Sequence, residues 1–130
     1  MSLANGGRTT ADPVRPATFR DRLVAALAAV DGIEAYPTAP DQATAGAAWP
    51  KWIETTYDGD LCSLARDTYE VIVTLPGSYA AHTVDQGDGF RDVVAFALIP
   101  IARVTFAEPA QITFNDRQTM PGLRFRVVLR

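Results

Sequence analysis

The sequence predicts an α+β domain in which two helices pack on one face of a mainly antiparallel sheet, in the order α-β-β-β-α-β-β. Three observations carry this. Residues 67–75 combine high β propensity with an apolar run. Two stretches, one opening near Thr18 and one secure from Phe90, repeat apolar side chains at helical spacing. Residues 123–130 alternate apolar side chains with Arg124, Arg126 and Arg130, the period of a strand with one core face.

With 130 residues the chain fits one domain, and a domain of this size buries roughly two-thirds of the surface its unfolded chain exposes. Charged residues are 21% and hydrophobic ones 48%, and no apolar segment approaches the ~20 residues of a membrane span, so a soluble protein without a membrane partner is expected. The net charge of −3 gives no general drive toward nucleic acid or an anionic membrane. Cys62 is the single cysteine, which excludes an internal disulfide and a Cys-rich metal site and suits a reducing compartment. No basic segment followed by an apolar core opens the chain, so no secretory signal is read and a cytoplasmic product is expected.

Residues 1–16 hold Gly6-Gly7, Thr9-Thr10 and two prolines with few large apolar side chains, and read as a flexible arm. The arm is a plain disordered or vector-derived terminus, or a segment that orders on an assembled partner. The domain proper is 17–130. Thr18 caps the first helix, with Asp21 three residues on, and Phe19, Leu23, Ala26, Leu27 and Val30 form its core stripe until Asp31-Gly32 stops it. Residues 33–36 are a short strand closed by Pro37, and 38–48 a long loop that is either a contact loop or a spacer. Residues 49–57 form a second strand, with Pro50 at an edge or start position, turning at Asp58-Gly59-Asp60 into the central strand 67–75. On that strand Tyr69, Val71, Val73 and Leu75 share one face and Ile72 marks the other, so burial is expected mainly on one side.

After Pro76-Gly77, residues 78–102 read as a helix with a flawed start, because Gly87 and Gly89 each weaken a helix interior by about 1 kcal/mol. Ser78, or Asp88 if the segment breaks, would cap it. Phe90, Val93, Val94, Ala97, Leu98 and Ile101 form its core face, and Pro100 ends or kinks it. Strand segments follow at 104–106 and 112–114, separated by Pro109, which argues for a bulge, bend or edge. Residues 115–122, bracketed by Asn115-Asp116 and Pro121-Gly122, read as the connection to the last strand.

Catalytic chemistry finds little support. The sole histidine, His82, has no nucleophile turn or Cys/His signature beside it, and Cys62 reads as an inert thiol. Asp85, Asp88 and Asp92 would share a helical face, but lack calcium-loop spacing and read as a solvated face or cap. Gly87-Asp88-Gly89 fits neither Gly-rich phosphate motif. No cofactor, metal or catalytic residue is expected. Contact chemistry is better represented: Trp49, Trp52 and Tyr57 are either core or interface anchors. Arg124, Arg126 and Arg130 make a basic strand face, solvated or repeated around an opening in an oligomer.

The opening helix from Thr18 to Leu27, the segment Ile33-Glu34-Ala35-Tyr36-Pro37, the strand Tyr69-Glu70-Val71-Ile72-Val73, and the helix and two-strand ending resemble the small tail-terminator proteins of long non-contractile-tailed bacteriophages. The resemblance implies a virion subunit, assembled in the host cytoplasm, that forms a ring, commonly hexameric, on the head-proximal end of the tail tube. Such a ring ends tube polymerisation and offers the joining surface for the head. Its implied partners are further copies of itself, the tail-tube subunit and a head-completion or neck protein, with DNA passing through the ring without sequence-specific binding. No family binding residue transfers singly. Residues 38–48, 49–57 and 115–122 are the interface candidates. A neck or head-closure adaptor, a small-ligand-binding domain and a minor enzyme remain the alternatives.

Overall fold

The computed structural model describes residues 16–57, 65–76 and 84–129. The chain runs through α1 (Pro16–Ala28), β1 (Glu34–Ala35), β2 (Ala47–Tyr57), β3 (Ala65–Thr74), α2 (Val84–Leu98), β4 (Ala102–Thr113) and β5 (Thr119–Leu129). This is the expected α+β order. The five strands form one sheet in the order β1-β2-β3-β5-β4. Among the described residues only the β1–β2 pair is parallel, a direction that strand propensity does not encode.

The expected hairpin between the second and central strands is present, with Ala48 opposite Val73 and Tyr57 opposite Ala65. β3 lies in the middle because it is apolar enough to be covered on both flanks, by β2 and by β5. Phe19, Leu23 and Leu27 of α1 and Phe90, Val94 and Leu98 of α2 are fully or almost fully buried against Tyr69, Val71, Val73, Phe125 and Val127. Burying each such side chain contributes about 1.5–3 kcal/mol. Phe19 and Tyr69 meet edge to face with ring centroids 5.2 Å apart.

Several sequence expectations are corrected. α1 begins at Pro16, whose fixed φ and missing amide suit a first helical position, so the helix starts two residues before the expected Thr18, whose side chain lies outside the described residues. α2 runs unbroken through Gly87 and Gly89. Val93 is 49% exposed, because the core side of α2 is set by Phe90, Val94 and Leu98. The two segments either side of Pro109 are one strand, β4, which tolerates the proline because it is the sheet's outer edge and carries its irregularity at Val104/Phe106. Pro121-Gly122 lies within β5, leaving a connection of residues 114–118 in which Arg117 takes φ 68°.

Burial is mainly on the helix face, as expected, and a smaller buried group lies on the other face. Ile72 and Thr74 are buried on the face away from the helices, where Ala47, Trp49, Ile112 and Phe114 form a second small core. Residues 36–46 cover it. Ala43 packs there and its amide donates to Asp116 Oδ2 at 3.0 Å, tying the loop to the β4–β5 turn. Pro16, expected at the end of the 1–16 arm, belongs to α1; residues 1–15, the Asp58-Gly59-Asp60 turn, Cys62, Ser78, His82, Arg130 and the side chains of Asp85 and Asp88 lie outside the described residues.

Candidate assembly surface

The sheet face opposite the helices is apolar at one end and charged along its middle. Alternation places Trp49 and Lys51 of β2, Glu70 and Ile72 of β3, Arg124 and Arg126 of β5, and Phe106 and Glu108 of β4 on it. Arg124 Nη2 donates to Glu108 Oε2 at 2.5 Å, with both side chains about two-fifths exposed, a setting in which an ion pair contributes at most about 1 kcal/mol. Arg126 sits over the Phe106 ring, 5.8 Å from its centroid.

Of the residues named from sequence, Trp49, Trp52 and Arg124 come together around one open groove of about 650 Å³. Its lining also includes Arg20, Lys51, Glu70 and Ile72. Trp49 is not a free surface anchor: it is 5% exposed and packs edge on against Phe114, centroids 5.5 Å apart, beneath the 36–46 loop. Trp52 is 52% exposed, and its indole N–H donates to Thr55 Oγ1 at 3.0 Å, whose hydroxyl donates to Asp67 Oδ1 at 2.6 Å. That relay holds a large aromatic in place at the surface. Tyr57 is 64% exposed at the far end of β2, away from the groove. Arg126 is exposed on the open face, outside the groove.

The groove's rim is fixed by Arg20. Its Nη1 donates to the Pro37 carbonyl at 2.5 Å and the Pro50 carbonyl at 2.9 Å, and its guanidinium lies 5.3 Å from the Tyr69 ring centroid. Burial pushes the Tyr69 hydroxyl above the usual tyrosine range, opposed by the Arg20 charge and aided to a smaller degree by Asp67. Tyr36 is also raised, by burial first and then by Glu34.

Sequence reading missed a further exposed apolar stripe, Val93 and Phe96 on α2 with Ile99 just past its end. The signal was Phe96, an aromatic standing off the helix's core face. It also passed over Phe106, half-exposed on the edge strand. Among the described residues, no three His, Cys, Asp or Glu side chains are grouped to hold a metal ion, and no helix is long and apolar enough to cross a membrane. The groove offers stacking, apolar contact and alternating charge, the chemistry of binding. Neither protein-family models nor curated protein sequences match this chain.

Proposed function

We propose that this protein is a structural assembly subunit that forms a ring on the head-proximal end of a phage tail tube, ending tube growth and presenting the surface for head joining. The supporting observation is the placement of its exposed large apolar side chains. Trp52, Ile53 and Tyr57 mark one edge of the sheet, Phe106 the other edge, and Phe96 the outer side of α2. Large apolar groups left in water on separate surfaces suit a subunit that meets several partners, and a ring needs two different complementary patches per copy. The role is non-catalytic. The partners are further copies, the tube subunit and a head-completion protein, and Lys51, Arg124 and Arg126 would give a ring lumen a basic lining toward passing DNA.

Mass photometry of the purified chain with and without the tail-tube subunit tests this. Rings, or capped tubes of arrested length, are expected; a monomer that neither binds nor caps tubes overturns the reading. Binding to a neck protein without tube capping would assign the adaptor role instead. The 650 Å³ groove favours a second reading, a small-ligand-binding domain, which would show as saturable quenching of Trp52 fluorescence by a small aromatic or anionic compound.

A further inference from the structure

Among the described residues the sheet ends in two open edges whose unpaired stretches match each other. β1 pairs β2 only through Ala47 and Ala48, so among the described residues β2 has no neighbour strand on that side from Trp49 onward. β4 is the opposite end of the sheet. Because the β2–β3, β3–β5 and β5–β4 pairs are all antiparallel, β2 and β4 run in opposite directions. Two copies placed edge to edge with their helices on the same side would therefore join β2 to β4 antiparallel.

The backbone phase agrees. The Pro50 carbonyl bonds Arg20, so Pro50 turns its backbone away from β3. Alternation across the antiparallel ladder then directs the backbone polar groups of Val71 toward β5 and those of Ala107 and Pro109 outward. Neither proline has an amide to give a neighbour. Pro50 and Pro109 thus act as stops, leaving 51–57 and 102–108 as free stretches of equal length, each containing one register irregularity.

Setting the stops opposite each other places Lys51 against Glu108 and Trp52 against Ala107, and, after the bulges, Thr56 against Arg103. Each pair already lies on the same face of the sheet within one copy, as directly opposed residues must. Trp52 and Ala107 both present outward N–H and C=O groups. Opposite charges meet, and a large aromatic meets a small residue. Lys51 and Glu108, charges that would blunt an edge against arbitrary strands, become a matched pair in this one register.

We infer that residues 51–57 of one copy add as a strand to residues 102–108 of the next, a heterologous contact between copies of this chain. The inference rests on the ring reading, to which it gives an interface; a head-to-tail contact of this kind closes into a ring when its rotation closes.

Cross-linking tests it. Thr56→Cys and Arg103→Cys are made separately in a Cys62→Ser background, both at exposed side chains, and mixed under oxidising conditions after near-UV circular dichroism confirms their fold. A disulfide joining the two different variants is expected, with none in either variant alone. Thr56–Thr56 or Arg103–Arg103 linkage, or no linkage, overturns the inference. Mass photometry of the same samples with the tube subunit separates the two claims: capped tubes without the 56–103 link retain the ring and reject this interface. The link without capping retains the interface and rejects the tail role.

Discussion

The Ala47 amide donates to the Thr74 hydroxyl at 2.9 Å, and that hydroxyl donates in turn to the Thr44 carbonyl at 2.7 Å. One fully buried side chain on the central hairpin thereby fixes the end of the loop that covers the second core. Thr74→Val keeps the shape but strands a buried donor and an acceptor. It is expected to lower unfolding free energy by about 1–3 kcal/mol. Urea denaturation with an unchanged slope checks this; a wild-type midpoint would mean that the loop is held by Ala43 and Asp116 instead.

Three glycines should separate by what surrounds them. A Cβ on Gly46 would stand 2.4 Å from the Gly32 carbonyl oxygen at a φ of +72°, and one on Gly122 would stand 2.3 Å from the Val73 carbonyl oxygen. Gly89, exposed in α2, has no heavy atom within 4 Å of that position. Gly46→Ala and Gly122→Ala are expected to destabilise the fold by more than about 1 kcal/mol, since backbone must shift. Gly89→Ala should stabilise it by up to about 1 kcal/mol. Thermal melts of the three variants give the comparison, and a destabilised Gly89→Ala would contradict the helix assignment there.

The same positions show where sequence was legible. The central strand, its hairpin from β2, the α1 stripe and the element order all follow from propensity and period, because those residues bury side chains at regular intervals. Gly122 did not, since a Pro-Gly pair reads as a turn until the close approach of Val73 shows why a strand needs glycine. Trp49 read equally as core or interface. Its burial depends on residues 36–46 folding over the sheet, a long-range contact without local period. The parallel β1 pairing and the matched free edges likewise arise only from topology.

Phe90 and Phe96 lie on one helix with opposite roles, 2% and 75% exposed. Phe90→Ala is expected to cost about 3–5 kcal/mol, while Phe96→Ser should fall within about 0.5 kcal/mol of wild type. Denaturant unfolding measures both. If Phe96→Ser leaves stability intact but removes association with the tube or neck protein, the α2 stripe belongs to a partner surface; equal destabilisation by both would mean that α2 is rotated.

Tyr36 and Tyr69 should make stability fall in alkali. Burial raises both hydroxyls above the ordinary value, so the folded state holds its phenolic protons more tightly than the unfolded chain does. That contribution is complete below the unfolded tyrosine value of about 10 and is lost as pH rises through the folded values. Denaturation midpoints measured from neutral pH to strong alkali should decline above about pH 10. The decline should flatten in the Tyr36→Phe/Tyr69→Phe double variant; an unchanged alkaline slope would assign the loss to other groups.

Arg20 is expected to matter more for what it holds than for its charge. Its bonds to the Pro37 and Pro50 carbonyls close the edge of β2 just where β1 stops pairing, and its guanidinium lies by Tyr69. Arg20→Lys keeps a cation but not the planar group that serves two carbonyls and an aromatic ring. Arg20→Met keeps only the apolar stem. Both are expected to lose about 1–3 kcal/mol, with Met no worse than Lys by more than the small worth of an exposed charge. Hydrogen exchange adds a local readout: the Tyr36 amide, bonded to the Ala48 carbonyl at 2.8 Å, should open faster once the neighbouring staple is gone. Full rescue by Arg20→Lys would show that charge alone secures this edge.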